Sequence, residues 1–172
     1  LDRVFFRTRY NFRQTIEALS QDLTARLDLD DIGRRLVHTV MQALHLAGVA
    51  LYLEGEHGTY VPLAVAGRAA ERLARLRPPR DNPLVQCIAQ QQRGLSRYDM
   101  EADPDLMRQV PEAPAAFDAL GISLALPLLF KGELIGLLAF GDKLSGAVFT
   151  TEDLELLRTL TNQSAVAIAN AQ

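Results

Sequence analysis

Apolar positions along this chain change their period several times, and each change marks a new element. Residues 1–27 contain no glycine or proline, and Phe5, Phe12, Ile16, Leu19 and Leu23 follow at spacings of seven, four, three and four. That is a heptad-like seam on a first helix, with Arg9 intruding at one position. A second helix starts near Asp30, where Ile32, Leu36, Val40 and Leu44 form one stripe ending before Gly48. Two β-rich runs follow, Gly48 to Leu53 and Thr59 to Ala66, around the loop Glu54-Gly55-Glu56-His57-Gly58, so a hairpin is predicted. Pro62 cannot donate to a ladder, which places its strand at a sheet edge.

Residues 68–76 predict a short helix stopped by Arg77-Pro78-Pro79, and Pro83 to Gln92 predict another. Gly94 to Tyr98 reads as a brief strand. Residues 99–116, with Pro104, Pro111 and Pro114, read as an irregular loop and a candidate mobile lid. From Gly121 two apolar runs meet at Lys131-Gly132-Glu133, the signal for a second hairpin. Thr150 then caps a long helix with Asp153 three residues on, and no glycine or proline interrupts it before Gln172. This order predicts an α+β fold, a central antiparallel sheet of five or six strands with the N- and C-terminal helices together on one face. The short helices and the loop take the other face.

Composition narrows the function without naming it. At 172 residues, 48% hydrophobic and 23% charged, the chain is long enough for one well-buried domain. Its net charge of -3 argues against a nucleic-acid surface. A single cysteine, Cys87, excludes an internal disulfide and a multi-cysteine metal site and fits a reducing, cytoplasmic compartment. No apolar run approaches the roughly 18 residues that span a bilayer. The chain opens at Leu1, inside a helical pattern, as an excised piece of a longer protein would.

In that order and spacing, Leu29-Asp30-Asp31-Ile32, Ala50-Leu51-Tyr52-Leu53, Pro127-Leu128, Gly132-Glu133-Leu134-Ile135-Gly136-Leu137-Leu138, Phe149-Thr150, Asp153-Leu154 and Ala167-Ile168-Ala169-Asn170-Ala171 resemble a GAF domain, the small-molecule sensory module of many bacterial signalling proteins. The resemblance covers residues 28–172, leaving 1–27 as an N-terminal signalling helix. The lead-in FFRTRYNFRQTIEALSQDL is similar to the segment joining a membrane-embedded region to a GAF domain in sensor histidine kinases. Arg3, Arg7, Arg9 and Arg13 are then either juxtamembrane charges, with the full-length protein anchored at the inner membrane, or a solvated helix face. The resemblance implies a two-component phosphorelay with a histidine kinase output after Gln172. Serine phosphatases and diguanylate cyclases also carry such domains.

The resemblance also implies where a ligand would sit, between the sheet and the short helices, lined by Tyr52, Leu63, Asn82, Leu84, Ile88, Tyr98, Phe117 and Ile122. The same residues are able to close into an ordinary core. Cyclic-nucleotide-binding members carry an Asn-Lys, Phe, Asp-Glu signature. Here Asp142-Lys143, Phe149 and Asp153-Leu154 depart from it at two positions, and Phe149 and Asp153 read more simply as a core residue and a helix cap. Cys87 has no neighbouring histidine and reads as a small buried hydrophobe, not a chromophore attachment. His38 and His45 are seven apart, and His57 lies in a turn, so no metal or cofactor is expected. Three readings stay open: a ligand-sensing module, a structural dimerisation and transmission module without ligand, and an enzyme, for which no constellation is visible. The expected partner is a second copy, through Phe5, Phe12, Ile16, Leu19 and Leu23 and a strip of Leu157, Thr161, Ser164 and Ile168 on the last helix.

Overall fold

The last hairpin and the last helix set the frame of the molecule, seen here in a computed structural model. The structure describes the backbone of residues 2–25 and 28–172 and the side chains of residues 11–23 and 28–172. Strands β4 (Leu124–Phe130) and β5 (Glu133–Phe140) pair antiparallel through a two-residue turn in which Lys131 and Gly132 both take positive φ, 52° and 80°. Positive φ at both positions matches the twist of the flanking strands, and glycine supplies one of them without strain. The first hairpin, β1 (Gly48–Glu54) and β2 (Tyr60–Gly67), joins it through β1 and β5, and the two-residue β3 (Leu95–Ser96) closes the far side. All pairs are antiparallel, in the order β2-β1-β5-β4-β3. Pro62 therefore lies on an edge strand, as its missing N–H requires.

Helices α1 (Asp2–Ala25), α2 (Leu29–Leu44) and α8 (Thr151–Ala171) cover one face. Asp28 caps α2 by accepting from the Asp30 N–H at 3.1 Å. A reciprocal capping box between Thr150 and Asp153 opens α8, satisfying two amides that would otherwise lack partners, and is worth about 1 kcal/mol. α2 and α8 bury Leu36, Leu157, Leu160 and Ile168 against Leu51, Leu124, Leu126, Leu138 and Phe140 of the sheet, and α1 adds Ile16 and Leu23 to the same core through its packing on α8 and α2. Each such side chain contributes about 1.5–3 kcal/mol.

The other face carries α3 (Ala70–Ala74), α4 (Pro83–Gln91), α5 (Arg97–Ala102), α6 (Pro104–Gln109) and α7 (Ala113–Leu120). The expected irregular lid at 99–116 is thus largely helical. Pro104 and Pro114 sit in the first turns of α6 and α7, where no N–H is needed, Pro111 lies in the turn between those helices, and Ser96 and Asp103 cap α5 and α6. Met100, Leu106, Ala113 and Phe117 anchor the segment in the second core.

The seam of α1 also differs from the expectation. Phe12, Ile16, Leu19 and Leu23 are buried inside the chain's own core, in one cluster with Leu157 and Ile168 of α8. Thr161 and Ser164 are buried too, each donating its hydroxyl one turn back, to the carbonyls of Leu157 and Leu160. The residues expected to meet a second copy therefore find their apolar partners within one chain. Phe5 lies outside the described side chains, as do Arg3, Arg7 and Arg9.

Candidate functional site

Successive residues of a strand point to opposite faces, so β4 and β5 serve two cores at once. Leu124, Leu126, Leu138 and Phe140 face the long helices, whereas Ala125, Leu137 and Ala139 face the short ones. Over these three residues lies a cavity of about 20 Å³, closed by Tyr52, Leu76, Leu84, Ile88, Leu120 and Ile122. That volume holds about one water molecule.

The Tyr52 hydroxyl is the cavity's polar group. It donates to the Leu73 carbonyl of α3 at 2.7 Å, which keeps it satisfied among apolar neighbours. Burial pushes its pKa up to about 12, a rise that the positive charges of Arg72 and Arg77 partly offset. Arg72 forms a clasp across the top: its guanidinium donates to the Leu120 carbonyl and, at 3.0 Å, to the Gly121 carbonyl. Gly121 ends α7 in the left-handed region, φ 65°, so Arg72 ties α3 to the last turn of α7.

Four of the eight residues expected at the site, Tyr52, Leu84, Ile88 and Ile122, line this cavity. The others do not. Leu63 is the unpaired residue of a β-bulge, because Leu51 pairs with Ala64 and Tyr52 with Pro62. The bulge turns Leu63 to the same face as Ala64, against Gly33 of α2. Asn82 is held at the start of α4, its side-chain oxygen accepting from the Leu84 and Val85 amides at 2.9 and 3.4 Å. Phe117 is fully buried beneath α7, and Tyr98 is 65% exposed beside a separate crevice. Leu76, Pro78, Val85, Leu120, Ala125, Leu137 and Ala139 also line it and are absent from the expected site. Of these, Ala125, Leu137 and Ala139 were legible in the alternation of the strands.

The positions matching the cyclic-nucleotide signature hold the start of α8. The Lys143 ammonium lies 2.6 Å from an Asp153 carboxylate oxygen, and the same oxygen accepts from the Thr150 amide at 2.8 Å. The ammonium also sits 5.6 Å from the centre of the Phe149 ring, which packs edge-on against Phe140. Asp142 accepts from the Ser123 hydroxyl. Cys87 is buried on α4, and burial raises its thiol pKa, partly offset by Arg93. His38, His45 and His57 are all exposed. Among the described residues no group of three histidine, cysteine or acidic side chains is placed to hold a metal ion, and no helix is long and apolar enough to cross a membrane.

Comparison with known proteins agrees with this architecture. The chain is 29% identical over 160 residues to the anaerobic nitric oxide reductase transcription regulator NorR of Salmonella arizonae, a match covering 92% of the chain and 31% of the regulator. The chain thus spans about a third of the length of that curated relative. Among solved structures it superimposes on the GAF domain of a phosphoenolpyruvate-protein phosphotransferase from Coxiella burnetii with a TM-score of 0.71, at 21% identity and 95% coverage of each chain. It also superimposes on the chromophore-binding domain of a Stigmatella aurantiaca bacteriophytochrome, with a TM-score of 0.70 at 16% identity, covering 94% of this chain and 60% of that one. The family description that matches residues 28–168 is that of the GAF domain, and with the five-stranded sheet between two helical layers this chain belongs to the GAF domain family.

Proposed function

We propose that this GAF domain is a regulatory module that converts the packing state of the Tyr52 cavity into the position of α8. One observation carries the reading. Neighbouring residues of β4 serve the two sides, Ala125 facing the cavity while Leu124 and Leu126 face the long helices. A shift of β4 that admits a ligand on one face therefore disturbs the seat of α8 on the other. The ligand is a small, mostly apolar molecule that enters when Arg72 releases the end of α7. The role is regulatory and not catalytic, since the cavity offers apolar walls and one tyrosine held protonated by burial. Replacing Ile88 by Phe fills the cavity. In the full-length protein this should fix the output in one state, with the fold intact by circular dichroism. Unchanged output and unchanged response would overturn the reading.

A second reading, transmission without any ligand, is favoured by the small size of the cavity and by the direct packing of α1 on α8. Native mass spectrometry of the purified protein separates the two, because a co-purified small molecule is expected only for a sensor. For the output domain, the basic lead-in through Arg13 supports a cytoplasmic sensor histidine kinase working as a homodimer, anchored at the membrane by an upstream segment. The similarity to a transcription regulator supports a DNA-binding output instead. Incorporation of acid-labile phosphate from ATP by the full-length protein is expected for a kinase and absent for the alternative.

A further inference from the structure

Most of the arginines among the described side chains are engaged. Among the described side chains, Arg13, Arg34, Arg35, Arg75, Arg80, Arg97 and Arg108 pair with carboxylates, and Arg72 and Arg77 donate to backbone carbonyls. Arg68, Arg93 and Arg158 have neither a hydrogen bond nor an ion pair, and two of these three line one cleft. It measures about 250 Å³ and opens where the end of α4, the outer edge of β4 and the middle of α8 converge. Gln92 and Asn162 add amides, Leu126 and Leu129 form an apolar floor, and no carboxylate lines the cleft. Glu155, one turn before Arg158, makes no ion pair with it.

The rim is fixed. Gln92 ends α4 in the left-handed region, and its side-chain amide donates to the Gly132 carbonyl at 3.0 Å, tying this end of α4 to the β4–β5 turn. The sheet leaves room for the cleft because β3 pairs only with residues 124 and 125 of β4, so that the strand beyond Ala125 has no outer neighbour. Two guanidiniums without a carboxylate carry positive charge that water alone compensates, and a planar fork of N–H donors is matched by a carboxylate or a phosphate.

We infer that the Arg93–Arg158 cleft is a binding site for a small oxyanion, the carboxylate or phosphate group of a metabolite whose apolar part rests on Leu126 and Leu129. The site is distinct from the Tyr52 cavity. An oxyanion held by both guanidiniums ties the end of α4, whose Leu84 and Ile88 line that cavity, to α8. It is therefore a second input to the same helix.

Isothermal titration of the purified 172-residue chain with inorganic phosphate and, separately, with succinate at constant ionic strength tests the assignment. One saturable site is expected for at least one probe, and which probe binds tells phosphate-bearing from carboxylate-bearing ligands. Arg93→Gln and Arg158→Gln should each weaken it about tenfold or more, which corresponds to about 1.4 kcal/mol, while Arg68→Gln leaves it unchanged. Circular dichroism of each variant confirms the fold. No saturable binding of either probe, or an affinity that neither substitution lowers, overturns the site. Neither result bears on the Tyr52 cavity, whose ligand does not touch these arginines.

Discussion

Lys143 and Asp153 form an ion pair at 2.6 Å with only 14% and 11% of their side chains exposed, and it pins the strand end after β5 to the first turn of α8. Breaking one partner of so buried a pair leaves the other charge poorly solvated. Lys143→Met should cost about 3 kcal/mol, read as a lower urea midpoint at unchanged slope. A loss below about 1 kcal/mol would mean that water screens the pair as it does on a surface.

The same pair bears on nucleotides. With Lys143 paired to Asp153 and Asp142 an acceptor for Ser123, the signature positions offer no free cation to a cyclic phosphate, and the Tyr52 cavity, holding about one water, has no room for a nucleotide. Calorimetry with cGMP and cAMP should show no binding at the Tyr52 cavity. Micromolar affinity that survives Arg93→Gln would contradict this.

Tyr52 predicts the alkaline limit of stability. Its pKa rises from 10.0 to about 12 on folding, so between those values the unfolded chain has lost the proton that the folded chain keeps. Stability from this group is full below pH 10 and falls as pH climbs towards 12, by on the order of 2–3 kcal/mol in all. Tyr60 and Cys87 are raised in the same direction by burial and add to the fall. Tyr52→Phe should flatten the limb between pH 10 and 12 while lowering stability at neutral pH through the lost bond to Leu73. An unchanged alkaline slope would show that the phenol is not buried.

Leu19 is 4% exposed in the core shared by α1 and α8, not on an outer seam. Leu19→Glu should therefore unfold or strongly destabilise the single chain, by several kcal/mol, besides altering its association. Thermal unfolding followed at several concentrations checks this. A stable, folded monomer would restore the residue to an interface between copies.

What was legible in the sequence, and what was not, follows from the range of each signal. The turn at Lys131-Gly132 and the Thr150–Asp153 box are local chemistry, readable within four residues, and both stand as expected. The heptad spacing of α1 marks an apolar seam, but spacing alone does not say whether the facing surface belongs to the same chain. Leu63 was lost to a bulge, which no alternation rule anticipates, and Asn82 to the backbone of its own helix. The three prolines between 99 and 116 suggest irregularity because a proline reads as a breaker, yet two of them, Pro104 and Pro114, stand in first turns, where a proline begins a helix, and only Pro111 lies in a turn.

The central claim is that α8 carries a change at the sheet to whatever follows Gln172. Its 21 residues span about 31 Å without a break, which makes it a rigid lever and not a tether. Inserting one to seven residues after Gln172 in the full-length protein, with output activity as the readout, tests this directly. The account predicts activity that rises and falls with helical phase at about 3.5 residues per turn and recovers after a full heptad. Activity that decays steadily with insertion length, or ignores it, would contradict the account.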